Sequence, residues 1–262
     1  NKGRYERDFD AWDQKLDGSE KMMILCSPHN PGGRVWTRAE LDIVAAFAKR
    51  HDLILVSDEI HHDLVYSGVS HIPMARIDGI ADRLIMMTAT TKTFNIAGSH
   101  SGNVIIPDPD LRAKFAAKMA ALGMSLNSFG LHMAEAAYSP EGAAWVDDLL
   151  TYLDGNRKLF DDGINAIPGL TSMPLEATYL AWVDFSGTGM TREEFTKRVE
   201  QSAKIAVNHC PTFGSGSDDF LRFSLATPRT LLQPAVARMR HTFEAPQHDP
   251  ESRDPFRPHA QA

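Results

Sequence analysis

Hydrophobic and polar positions along this chain fall into two alternating patterns. Four short apolar runs read as strands: Met22-Met23-Ile24-Leu25-Cys26, Leu53-Ile54-Leu55-Val56-Ser57, Leu84-Ile85-Met86-Met87 and Gly102-Asn103-Val104-Ile105-Ile106. Between the first two, Leu41, Val44, Ala45 and Ala48 recur at helical spacing. Thr37-Arg38-Ala39-Glu40 opens that helix as a capping box. A strand–helix–strand unit of this length needs a crossover, which implies parallel pairing. Asp108-Pro109 opens a further helix, with proline at its first position, and Gly123 is placed to end it. Residues 127–167 are mostly helical by pattern, with a break at Ser139-Pro140 and a weak spot at Gly155-Asn156. Trp145, Val146, Leu149, Leu150 and Leu153 in that stretch read as core and interface.

A second block follows Pro168-Gly169. Residues 178–185 have strand composition, and Thr191-Arg192-Glu193-Glu194 is a second capping box before a helix. Residues 220–225 alternate, with Leu221, Phe223 and Leu225 on one face and Arg222 and Ser224 on the other. The Gly-rich run from Pro211 to Ser217 lacks the spacing of a phosphate loop and reads as a turn. The pattern predicts an α/β protein with a second α/β domain over 156–243 and a proline-rich disordered tail over 244–262.

Composition narrows the function classes. The chain has 262 residues, 43% hydrophobic and 23% charged, as in ordinary globular proteins. Its net charge of −7 gives no support for nucleic-acid binding. No apolar run is long enough to span a bilayer as a helix, so no membrane partner is expected. Cys26 and Cys210 are too few for a disulfide framework or a zinc motif, which points to a reducing, cytoplasmic setting.

Three apolar runs deliver polar groups at their C-terminal ends: Asn30, Asp58 and Lys92. Open α/β sheets hold their ligands there. Taken alone, Lys92 reads as a solvated loop lysine. If the runs are parallel neighbours, the three groups share one crevice. Partial desolvation makes a lysine amine nucleophilic, as a Schiff base requires. An amine, a carboxylate and an amide together suit pyridoxal 5'-phosphate. His61, His62, Asp58 and Asp63 also allow a metal cluster. Loop polars around a cofactor are the better reading, since no second His/Cys pair stands at ligand spacing; no metal is expected.

The ordered motifs Asn30-Pro31-Gly32-Gly33-Arg34, Ser57-Asp58-Glu59-Ile60-His61, His71-Ile72-Pro73, Lys92-Thr93-Phe94-Asn95-Ile96-Ala97-Gly98, Glu176-Ala177-Thr178-Tyr179-Leu180-Ala181-Trp182 and Leu221-Arg222-Phe223-Ser224 resemble the fold-type I, aminotransferase class I/II enzymes. Within them the chain is most similar to the MalY/PatB-like cystathionine β-lyase, or C–S lyase, branch. The resemblance implies Lys92 as the Schiff-base lysine, Asp58 as partner of the cofactor's ring nitrogen, Asn30 as partner of its ring hydroxyl and Arg222 as the grip on the substrate carboxylate. It places His61 where many aminotransferases carry a tyrosine, and Tyr179 near the substrate. Thr91 is a candidate hydroxyl donor to the cofactor phosphate or a turn-stabilising threonine. His100 and Ala89 stand where the family often has a phosphate-binding arginine and serine.

The resemblance also implies that 1–155 is an incomplete large domain with its linking helix, lacking a preceding segment with a phosphate-binding turn and part of a dimer interface, and that 156–243 is the small domain. It implies a homodimer acting on a small amino acid. Three activities follow as expectations: a C–S β-lyase on cystathionine- or cysteine-type β-thio amino acids, an aminotransferase, or a non-catalytic remnant of the fold.

Overall fold

The computed structural model of the chain describes residues 4–209, 213, 214 and 216–244. Two four-stranded sheets organise it. The first is built from β1 (Met22–Cys26), β2 (Ile54–Asp58), β3 (Leu84–Thr88) and β4 (Asn103–Ile105), in that spatial order. β1, β2 and β3 run parallel, and β4 is antiparallel to β3. The parallel register sets Cys26 opposite Asp58, and Asp58 opposite Met87. The ends of β1, β2 and β3 are therefore level, as the sequence pattern requires for a shared crevice.

Two short helices flank the start of this region. α1 (Phe9–Asp13) precedes β1, and α2 (Arg38–Arg50) crosses from β1 to β2. The capping box of α2 is complete: the Thr37 hydroxyl and the Glu40 carboxylate each accept the other residue's backbone N–H. Leu41, Val44, Ala45 and Ala48 are buried as their spacing dictates, and Phe47 joins them against Leu25, Leu55 and Leu84. Burying each such side chain stabilises the fold by about 1.5–3 kcal/mol. The sheet is covered on one face only at β1, where Met22 and Ile24 stay exposed.

After β3 comes a single helical turn, α3 (Thr90–Thr93). α4 (Pro109–Ala121) begins at its Asp108 cap with Pro109 at the first position. α5 (Ser128–Ala137) and α6 (Pro140–Asn165) follow, separated at Ser139-Pro140 as the sequence predicts. α6 runs straight through Gly155-Asn156, against expectation. Tertiary packing explains the difference. Asn156 is fully buried and its amide donates to the Leu225 and Thr227 carbonyls at 3.0 and 2.9 Å. Gly155 is small because Arg229 lies on it: a Cβ there would meet Nη2 at 2.4 Å.

The second sheet has the order β5 (Thr171–Ser172), β6 (Leu180–Asp184), β8 (Phe220–Ser224), β7 (Asn208–His209), all antiparallel. Leu221, Phe223 and Leu225 are buried, as the alternation requires. They join Leu153, Phe160 and Ile164 of α6 in a second core, closed by α7 (Arg192–Lys197) and α8 (Arg229–Glu244). At α7 the cap is one-sided: Thr191 accepts from the Glu194 amide, while the Glu194 carboxylate reaches forward to Arg198. Glu244 belongs to α8. The rest of the expected tail, Cys210, Pro211, Thr212 and Ser215 lie outside the described residues. Among the described residues no helix is long and apolar enough to cross a membrane.

Candidate active site

The loop after β1 is a tight turn that presents Asn30. The His29 amide donates to the Arg34 carbonyl at 2.8 Å, and the Gly33 amide to the His29 carbonyl at 2.7 Å. Gly33 has φ of +66° and lies against Leu175, so both its conformation and its lack of a side chain are used. The Asn30 Oδ1 accepts from Arg222 Nη1 at 2.8 Å. A side chain of the first sheet thus meets one of the second across 192 positions of chain.

Arg222 sits on β8 opposite Asn208 of β7. Its Nη2 donates to Asn208 Oδ1 at 2.9 Å, its guanidinium carbon lies 4.6 Å from the Phe213 ring centre, and its Nε is buried with no partner. Asn208 and Phe213 were not legible as site residues. Antiparallel register brings Asn208 there, and no local motif marks it.

Asp58 closes β2. It accepts a weak bond from the Ile60 amide at 3.3 Å. Burial raises its pKa, and the Lys92 charge opposes that shift. Glu59, the next residue, is the reverse case. Its buried carboxylate accepts from Ser57 Oγ, His71 Nε2 and the Met74 amide, each at 2.8 Å. The Glu59 amide also donates to the Met87 carbonyl of β3 at 2.8 Å. These bonds fix the backbone that aims Asp58. The motif containing His71 was legible; its partner was not.

His61 is buried, edge-on to Tyr179 at 5.9 Å between ring centres, with Nδ1 buried and unpartnered. Burial, then the charges of Lys92 and Arg222, push its pKa down to about 4, so the ring is neutral at neutral pH. Tyr179 follows Thr178, a buried residue at φ +71° held by the Leu64 carbonyl and by the Tyr66 hydroxyl on its own carbonyl. That left-handed position turns the chain into β6 with Tyr179 beside His61. Burial raises the Tyr179 pKa.

Lys92 lies on α3, just past β3, and its Nζ makes no hydrogen bond or ion pair among the described residues. Its neighbour Thr93 is buried and donates to Asp63 Oδ2 at 3.0 Å, tying α3 to the loop after β2. Thr91 is half-buried in the same turn, and His100 is exposed in the left-handed region, φ +46°. His62 is held locally: its Nδ1 meets the Glu59 carbonyl at 2.8 Å, and its Nε2 lies 3.1 Å from Asp63 Oδ1.

Comparison with known proteins gives the same frame. The profile of the family described as aminotransferase class I and II matches residues 2–239. The chain belongs to that family. Within the class I and II aminotransferase family, it is 37% identical over 242 residues to cystathionine β-lyase PatB of Bacillus subtilis, covering 91% of this chain and 62% of that protein. It is 33% identical over 227 residues to protein MalY of Escherichia coli, covering 86% of this chain and 58% of that protein. The chain therefore spans about three-fifths of the length of these curated relatives. The crystal structure of cystalysin from Treponema denticola, which contains pyridoxal 5'-phosphate, superposes with a TM-score of 0.87 at 34% identity over 93% of this chain and 63% of that one. The expected fold-type I architecture is thus present, with the large-domain sheet represented by four strands.

Proposed function

We propose that this chain is the greater part of a pyridoxal 5'-phosphate-dependent C–S β-lyase acting on β-thio amino acids of the cystathionine or cysteine type. The observation that carries the reading is the set of unsatisfied polar groups in one crevice. Lys92 has no partner, Asp58 holds one weak bond, and the His61 Nδ1 and Arg222 Nε are buried without partners. Buried groups of this kind are costly unless a ligand completes them. A ring with a basic nitrogen, a hydroxyl and an aldehyde fits that donor set: Asp58 for the nitrogen, Asn30 for the hydroxyl, Lys92 for the aldehyde.

When bound, the cofactor supplies an aldehyde for amines and an electron-poor ring that takes up charge from the substrate α-carbon. The chain's own residues do the rest. Arg222 grips the α-carboxylate through its planar fork. Asp58 holds the proton on the ring nitrogen. Lys92 Nζ would hold the cofactor aldehyde and, once free, would take the α-proton as general base. His61 is neutral and adds no competing cation beside Lys92 and Arg222. Tyr179 shields that side from water. In balance, the thioether and one water give a thiol, pyruvate and ammonium.

Elimination is favoured over transamination by His61 in the position where many aminotransferases carry tyrosine, and by the similarity to PatB. The large and small domains, 1–155 and 156–243, are proposed as the two halves of the site, with the first boundary inside α6. A homodimer in the cytoplasm is the proposed setting; the exposed apolar side chains Leu126, Phe129 and Leu131 around α5 support association. The test is incubation of the cofactor-loaded protein with cystathionine. Release of pyruvate, ammonia and a thiol supports the lyase. Stoichiometric conversion of the cofactor to its amine form, with no thiol, makes the protein an aminotransferase.

A further inference from the structure

A cavity of about 490 Å³ opens beside Lys92, within the range that small ligands occupy. Its walls are Trp145, Leu149, Tyr152 and Leu153 of α6 together with Tyr179. The sequence pattern assigns Trp145 to core or interface, yet Trp145 is 46% exposed and Tyr152 41%. Phe94, two residues after Lys92, stacks on Trp145 at 5.3 Å and fixes that ring from the catalytic turn. Ser224, at the rim, stands two residues from Arg222 on the same face of β8, so the cavity adjoins the proposed carboxylate grip. Lys92 is the one charged residue among those described as lining it. Arg229 approaches the Tyr152 ring at 4.9 Å, but its Nε and Nη2 are spent on Asn156 Oδ1 and the Tyr152 carbonyl.

We propose that this cavity receives the sulfur substituent of the substrate and selects an uncharged, apolar or aromatic thio group over one that ends in a second amino-acid head. The inference rests on the lyase reading and narrows it. A distal ammonium entering this cavity loses water and finds no carboxylate among the lining residues, and a distal carboxylate finds only Lys92, which is committed to the chemistry, with Arg229 set behind the Tyr152 ring. An aromatic or alkyl group meets two open rings and two leucines, and gains both burial and ring contact.

The experiment compares S-benzyl-L-cysteine, S-methyl-L-cysteine and L-cystathionine. Pyruvate release by the cofactor-loaded protein gives kcat/KM for each. Calorimetry on the cofactor-loaded Lys92→Ala variant gives Kd for each without turnover. S-benzyl-L-cysteine is expected to exceed cystathionine by about tenfold or more in both measurements, a scale typical of pocket discrimination. Trp145→Ala is expected to lower the S-benzyl to S-methyl ratio by about tenfold, and Leu149→Arg to raise cystathionine relative to S-benzyl-L-cysteine. Cystathionine bound and cleaved as well as S-benzyl-L-cysteine overturns the inference while leaving the lyase intact. So does a ratio unmoved by Trp145→Ala. If no compound releases pyruvate, the lyase reading falls, and the calorimetric ranking alone decides what the cavity accepts.

Discussion

Asp58 and Glu59 are adjacent carboxylates at the end of β2, and their surroundings are opposite. Glu59 receives three donors at 2.8 Å and is sealed from water. Asp58 receives one at 3.3 Å and has its pKa raised by burial. The same contrast holds between the Thr93 hydroxyl, bonded to Asp63, and the Lys92 Nζ beside it, bonded to nothing described. At these two pairs the satisfied polar group builds the frame and its unsatisfied neighbour is left to a ligand. At the end of β2 strand alternation makes the pairing natural, since successive side chains point to opposite sides.

Four experiments press on that contrast. The largest effect is expected at Lys92. On the proposed roles Lys92→Ala removes both the cofactor anchor and the base, so turnover is expected to fall by about 10²–10⁴-fold or more, while thermal stability is expected to hold, because the side chain gives up no hydrogen bond or ion pair. Borohydride reduction of the wild-type holoprotein followed by peptide mapping is expected to label Lys92; label on another lysine breaks the assignment.

Next is Glu59→Ala, which strands the His71 ring, the Ser57 hydroxyl and the Met74 amide. A loss of about 3–5 kcal/mol in urea unfolding is expected, as for a buried charge partner removed. Asp58→Asn is the control. Its stability is expected to stay within about 1 kcal/mol, because its native bonding is weak, while turnover collapses. Equal destabilisation by both substitutions erases the distinction between frame and ligand group.

The third is acid sensitivity. His61 and His29 have pKa values pushed down to about 4, chiefly by burial. Above the unfolded value of about 6.5 both states are neutral and nothing changes. Between about pH 6.5 and 4 the unfolded chain takes up protons that the folded chain refuses, so stability falls as pH falls, by on the order of 3 kcal/mol per histidine. The raised pKa of Asp58 acts with the opposite sign and offsets part of this. His61→Gln is expected to flatten the slope in urea midpoints measured across that window.

The smallest effect is expected at Arg222. Arg222→Ala is expected to weaken substrate binding by about 1.5–3 kcal/mol, seen in KM more than in kcat. Unchanged affinity makes the arginine a strut between Asn30 and Asn208.

How much of this was legible in the sequence differs by range. Asn30, Asp58 and Lys92 each follow a short apolar run, and level parallel strands bring such positions together without further information. The Thr37–Glu40 cap and the buried face of β8 are likewise local. What failed was long-range. The partners of Glu59 come from 2 to 15 positions away through a loop of no regular period. Asn208 reaches Arg222 only through sheet register. Helix propensity marks Gly155-Asn156 as a weak point, and packing of Arg229 and the 225–227 turn overrides it.

The hydrogen bond between Asn30 and Arg222 has a consequence for the order of assembly. On the proposed roles, each end of that bond belongs to a different ligand: the amide to the cofactor, the guanidinium to the substrate. The bond uses only the Asn30 Oδ1, which leaves Nδ2 to donate to the ring hydroxyl while Oδ1 keeps the guanidinium in place. One amide thus spans both binding events: a cofactor that fixes its Nδ2 also fixes the arginine that a carboxylate then meets. The two affinities are coupled with positive sign, and by linkage the coupling is the same in both directions. Asn30→Ala is expected to weaken cofactor binding and to reduce that coupling, read as the ratio of amino-acid Kd values with and without cofactor.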